Sequence, residues 1–124
     1  MPAKFEIKIA KNGDYMFNLF APNGKIIATS ETYTSLQNCK LGIESVKRNA
    51  GVHVEDQTVD STTLSCPKYE LFVDKEEKFR FRLRASNGEI ICASQGYTVK
   101  ASAQTGINSV MENAPVAVTV ILEQ

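Results

Sequence analysis

The amino-acid sequence predicts an α+β fold in which tandem β-β-β-α-β repeats fuse into one antiparallel sheet with two helices on one face. Three observations carry that prediction. The chain repeats itself, the opening of each copy alternates apolar with polar residues as half-buried strands do, and the later part of each copy shifts to a spacing of three and four. Laid on itself with a shift of 64, the chain aligns without a gap from Lys4/Lys68 to Val54/Val118, and 21 of the 51 pairs are identical. The identities come in blocks, among them Asn23-Gly24/Asn87-Gly88, Ile26-Ile27/Ile90-Ile91, Tyr33-Thr34/Tyr97-Thr98 and Gly42-Ile43/Gly106-Ile107. This is a duplication.

The elements follow in order. KFEIKIA sets Phe5, Ile7 and Ile9 against Glu6, Lys8 and Ala10, and KYELFVD sets Tyr69, Leu71 and Val73 against Glu70, Phe72 and Asp74. Copy one then turns at KNGD, where Asn-Gly supplies the positive φ angles of a tight hairpin. Copy two has KEEK there, which predicts a hairpin closed differently. The second strand buries Tyr15, Phe17 and Leu19, matched by Phe79, Phe81 and Leu83. It turns at APNGK or ASNGE, where glycine accepts positive φ, and KIIATS or EIICAS makes the third strand. Leu36, Cys39, Ile43 and Val46 then recur at helical spacing, with Val99, Ala103, Ile107 and Val110 in copy two. Thr34 or Ser35, and Thr98, are the expected N-caps, and Asn49 and Asn113 the expected C-terminal caps. A last strand closes each copy, VHVE in the first and a longer VAVTVILE, Val116 to Glu123, in the second.

A unit of about fifty residues leaves much apolar surface wet, and two copies share one larger core. The reading is therefore one domain over 1–124, with repeat 1 at 4–55, a polar linker at 56–67 and repeat 2 at 68–123. Fourteen basic residues balance fourteen acidic ones, so the chain has no overall field to hold a polyanion or a membrane. No stretch approaches the roughly 20 apolar residues of a membrane span, and the N-terminus lacks the apolar run of a signal peptide. Cys39, Cys66 and Cys92 are odd in number and form no CxxC, which fits reduced thiols in a cytoplasmic protein. No cofactor or metal is implied.

The segments ATSETYTSLQNCKLGIESVKRNA and CASQGYTVKASAQTGINSVMENA share Ser-x-x-Tyr, a spacer, and Gly-Ile-x-Ser-Val-x-x-Asn-Ala. This pattern, after GKIIA, resembles the YegP-like family of small bacterial proteins, over nearly the whole chain. The resemblance implies β3-α-β units packed into one antiparallel sheet, with C-terminal strands exchanged between halves. It implies no catalytic residues, because the family is uncharacterised.

For each candidate residue a plain reading stands beside the functional one. His53 and Glu55 share a strand face, as a proton-shuttling pair would, but an ordinary surface histidine explains His53 as well. Cys39 and Cys92 fall on positions that pack, and Cys66, before Pro67 in the linker, is the more exposed thiol. Gly42 and Gly106 recur inside helices, where glycine costs about 0.8–1.0 kcal/mol relative to alanine, so they point to close helix approach. Tyr33 and Tyr97 read as staples over the core. In FRFRLR, Phe79, Phe81 and Leu83 face the helices, which sends Arg80, Arg82 and Arg84 to the opposite face, with Phe72, Phe20, Met16 and Lys8 nearby. Arginines with exposed aromatics on a sheet hold phosphates and stack bases in several single-strand binders. Against that, Glu6, Glu70 and Asp74 share the face and offer cross-strand partners that leave the row a solubilising surface.

Three function classes follow. The first is a small non-enzymatic protein-interaction or ligand-binding module, a monomer by virtue of its internal pseudo-dimer, whose open sheet face meets another protein. The second is a weak single-stranded nucleic-acid binder using Arg80, Arg82, Arg84, Phe72, Phe20 and Lys8. The third is an enzyme or thiol sensor using His53 or Cys66. No membrane partner is expected.

Overall fold

The computed structural model describes residues 2–60 and 62–122, and within them each copy follows the predicted order. Copy one supplies β1 (Lys4–Ile9), β2 (Tyr15–Phe20), β3 (Ile26–Ser30), α1 (Leu36–Asn49) and β4 (Val54–Asp56). Copy two supplies β5 (Lys68–Val73), β6 (Phe79–Arg84), β7 (Ile90–Ala93), α2 (Lys100–Asn113) and β8 (Val118–Ile121), with a 3-10 turn at Ala114–Val116.

The eight strands form one sheet in the order β4-β5-β6-β7-β3-β2-β1-β8. The last strand of each copy therefore lies beside the first strand of the other, which is the exchange the family resemblance implies. The six inner strands are antiparallel. The two exchanged strands pair in parallel, β4 with β5 and β8 with β1, so the sheet is mixed. Direct pairing between the copies at the centre is narrow, Thr29 and Ser30 against Ala93 and Cys92. The exchanged edges and the shared core do most of the joining.

That core is one cluster under both helices, with Phe5, Phe17 and Val46 of copy one continuous with Tyr69, Phe81 and Val110 of copy two. Phe5 meets Phe17 edge-on at 5.6 Å, and Tyr69 meets Phe81 likewise at 6.2 Å. The Tyr69 hydroxyl donates to the Ala50 carbonyl at 2.7 Å, so a buried polar atom of copy two closes the helix end of copy one. The recurring helical glycines are sites of close approach, as expected. A Cβ on Gly106 would stand 2.8 Å from the Phe81 ring and 3.2 Å from the Tyr97 hydroxyl. One on Gly42 would collide with Tyr33, which stacks on Phe17 at 6.3 Å.

Several local expectations are corrected. The KEEK hairpin closes as KNGD does: Glu77 takes the positive φ (63°) that Gly13 takes (89°), and the bonds Asp74 N–H to Lys78 O and Glu77 N–H to Asp74 O repeat those of Ala10 and Gly13. Asp74 makes this possible by accepting the Glu76 and Lys78 amides on one carboxylate oxygen, at 2.8 and 2.9 Å. Ser35 caps α1, accepting the Asn38 amide at 3.1 Å, but α2 starts at Val99 without a side-chain cap, so Thr98 does not serve. Val99 is exposed rather than packed, because it precedes the first helical turn. Asn49 and Asn113 reach back to Ser45 and Ser109 instead of closing the chain beyond the helix. The long last strand shortens to Val118–Ile121, since the turn holding Pro115 takes Val116, and Glu123 lies outside the described residues.

Candidate functional site

Strand alternation sends the second set of side chains to the face that no helix covers. Register places Glu55, Glu70, Arg82 and Ala93 in one line across copy two, continued by Thr29, Asn18 and Glu6 across copy one. The flanking positions hold Phe72 opposite Arg80, and Lys68 opposite Arg84.

The arginine row is knitted to carboxylates. Arg82 Nε and Arg84 Nε both donate to Glu70 Oε1, at 2.5 and 2.6 Å, and Arg80 Nε donates to Asp74 at 2.5 Å. Arg80 and Arg84 also reach the carbonyls of Ser94 (3.1 Å) and Gly88 (2.8 Å). The Arg82 guanidinium lies over the Phe72 ring, 4.3 Å from its centroid. Lys68 Nζ extends the network, 2.7 Å from Glu55 and 3.3 Å from Glu70. Glu55 takes two further donors, Gln57 Nε2 at 2.5 Å and the Leu64 amide at 2.6 Å.

These contacts set the charge states. The Lys68 hydrogen bond, followed by those of Gln57 and Leu64, lowers the Glu55 carboxyl to about 2. Burial by itself raises the Glu70 carboxyl, and the Arg82 and Arg84 hydrogen bonds more than reverse it, leaving it below the usual range. Asp74 is lowered by Arg80 and then by the Lys78 amide, and Lys68 is raised chiefly by Glu55. All members are thus charged at neutral pH, with the carboxylates beneath and the guanidiniums outside.

The predicted residues fall into two groups. Arg80, Arg82, Arg84 and Phe72 come together. Phe20 and Lys8 do not join them: Phe20 lies on β2, four strand steps or roughly 19 Å from Phe72, under Lys4 Nζ at 5.1 Å. Lys8 pairs with Met16 in the same far half. Sequence reasoning missed Glu55 and Lys68 as members of the network: strand exchange alone puts Glu55 beside Glu70, whereas Lys68 shares the open face of β5 with Glu70, a signal that alternation offered. The His53–Glu55 pair does not form. His53 is exposed, with Nε2 2.8 Å from the Ser65 carbonyl, while Glu55 is turned to Lys68. Cys39 and Cys92 are core thiols, which burial pushes up to about 11 and about 12, and Cys66 is half-buried. No helix among the described residues is long and apolar enough to cross a membrane.

The family model for a domain of unknown function, DUF1508, matches residues 10–56 and again 74–120. The chain belongs to the DUF1508 family. Among DUF1508 relatives, a UPF0339 protein of Mannheimia succiniciproducens is 41% identical over 117 residues, 94% of this chain and 90% of that protein. The UPF0339 protein YegP of Escherichia coli is 35% identical over 113 residues, 91% of each chain. Two solution NMR structures share the fold at 34% identity, each with a TM-score of 0.80 and 98% of this chain covered. They are a UPF0339 protein of Shewanella oneidensis, covered to 92%, and YegP of E. coli, described as a protein of unknown function and covered to 93%. The DUF1508 relatives carry uncharacterised names, with no enzymatic function indicated.

Proposed function

We propose that this DUF1508 protein is a non-enzymatic binding module of the cytoplasm, and that the open sheet face of its second copy receives an acidic segment of a partner protein. The observation that carries the reading is the layering of charge. Lys68, Arg80, Arg82 and Arg84 face three carboxylates, Glu55, Glu70 and Asp74, which leaves one net positive charge. The arginine side chains are 26–38% exposed, whereas those of Glu55 and Glu70 are 6–7% exposed. An approaching partner meets guanidinium edges first, already fixed in place, with the Arg82–Phe72 pair as a flat platform. Three free thiols suit a reducing compartment.

Single-stranded nucleic acid is the second reading, favoured by the same platform. The acidic segment is preferred because every arginine already spends its Nε on a carboxylate and the aromatic row breaks between Phe72 and Phe20. The test is fluorescence anisotropy with a labelled glutamate-rich peptide and with labelled single-stranded RNA and DNA, at low and moderate salt. An Arg80→Ala/Phe72→Ala variant serves as the control, since it spares the two arginines that hold Glu70. Salt-sensitive peptide binding lost in the variant supports the reading. Binding of nucleic acid instead moves the face to the second class, and binding of neither removes it as a site.

A further inference from the structure

On the helix side of the sheet, away from the arginine face, the duplication builds two clefts that neither copy has alone. In one, of about 400 Å³, Tyr97, Gly106 and Ser109 of copy two face Asn23, Ile26 and Ile27 of copy one. In the other, of about 360 Å³, Tyr33, Gly42 and Ser45 of copy one face Asn87, Ile90 and Ile91 of copy two. These are the same positions shifted by 64, and both volumes fall within the roughly 300–1,000 Å³ of small-molecule sites, which favour such junctions.

Two features separate the clefts from mere packing. Of the ten aligned positions that line both, seven are identical between the copies, against 14 of the other 41 pairs. Elsewhere the copies exchange phenylalanine and tyrosine freely, as at Phe5/Tyr69 and Tyr15/Phe79, yet Tyr33 and Tyr97 both keep their hydroxyls. Neither hydroxyl hydrogen-bonds a protein group among the described residues, and each opens into its cleft. Burial, with Glu89 among smaller causes, pushes the Tyr33 hydroxyl up to about 12, so it stays a donor at neutral pH. Ile26, 44% exposed, is also repeated as Ile90 without a core role.

Three positions differ between the clefts, and two of them, the charge reversal and the loss of a hydroxyl to leucine, change the chemistry. Lys25 in the first cleft is Glu89 in the second, and neither is in an ion pair among the described residues. Ser102 and Thr105 in the first correspond to Asn38 and Leu41 in the second. The first cleft thus joins an ammonium to four hydroxyls, those of Tyr97, Ser102, Thr105 and Ser109, and the second joins a carboxylate to two, those of Tyr33 and Ser45, with Leu41 as extra apolar wall. We propose that the clefts are paired small-molecule sites on one frame, the Lys25 cleft for a polyhydroxy carboxylate and the Glu89 cleft for an ammonium ion on an apolar body. This does not depend on the sheet-face reading.

The test is a two-dimensional amide NMR titration of the whole protein with gluconate and, separately, benzylamine, with glucose and benzyl alcohol as uncharged controls. Gluconate is expected to give saturable shifts at Asn23, Gly24 and Thr105, and benzylamine at Asn87, Gly88 and Leu41, each binding more tightly than its control. Lys25→Glu and Glu89→Lys alter exposed turn side chains and leave the core intact. Each is expected to weaken the matching probe about five-fold, the size of one exposed ion pair, and to leave the other probe unchanged. No saturable shift at either cleft in the millimolar range overturns the proposal. So do probe affinities that ignore charge reversal, or gluconate shifts confined to Arg80, Arg82 and Arg84.

Discussion

Gly42 and Gly106 show how a single missing methyl is read in two currencies. Alanine at Gly106 would gain about 0.8–1.0 kcal/mol of helix propensity. It would also set a Cβ 2.8 Å from the ring of Phe81, which is fully buried and has nowhere to retreat. Overpacking of that kind costs about 1–3 kcal/mol, so packing wins. Gly106→Ala is expected to lower stability by about 1 kcal/mol, seen as a lower urea midpoint with an unchanged slope. The cysteines give a second residue-scale expectation. Cys39 and Cys92 are buried and held protonated, so Ellman's reagent should titrate one thiol, Cys66, in the native protein and all three in denaturant. The helical glycines and the two core thiols were legible in the sequence, because spacing alone puts them on the packed face. His53 is exposed, as the plain reading has it, and only its partner, the Ser65 carbonyl across the linker, was not legible.

At the scale of elements, the first hairpins separate backbone demand from side-chain identity. Both need a residue at positive φ, met by Gly13 in one copy and Glu77 in the other. An L-residue pays roughly 1–2 kcal/mol there, and glycine recovers that less about 0.5–1 kcal/mol of its own entropy. Glu77→Gly should therefore stabilise by about 0.5–1 kcal/mol, measurable as a raised Tm. KNGD was readable because its residue types match the turn. KEEK was misread because the device that holds it is Asp74, one residue outside the motif.

For the whole molecule, exchanged strands and a shared core predict that covalent continuity is dispensable once folded. A protease site engineered at exposed Val59 should allow a cut after which the halves still co-elute in gel filtration, separating only in denaturant. The charged network predicts the acid response. Glu55 falls from 4.5 to about 2 on folding, and Glu70 and Asp74 are also lowered. Depressed carboxylates stabilise fully above their unfolded range and lose that contribution as pH falls through the folded values. Tm is thus expected to hold down to about pH 5 and to drop between pH 4.5 and about 2, with Glu55→Gln showing a shallower drop.

The sequence by itself determined the repeat, the order of elements, which strand faces are buried, and that Arg80, Arg82 and Arg84 share the open face. Alternation and helical spacing record burial, and burial is a local property of each element. Only the tertiary structure decided that the exchanged strands β4 and β8 pair in parallel, that Glu55 lies beside Lys68, and that Phe20 stands apart from Phe72. The two clefts belong to the same class, since each needs a helix from one copy and a turn from the other. Periodicity states which side of a strand is covered, but strand neighbours are chosen by the packing of the whole core, and no window of sequence contains that choice.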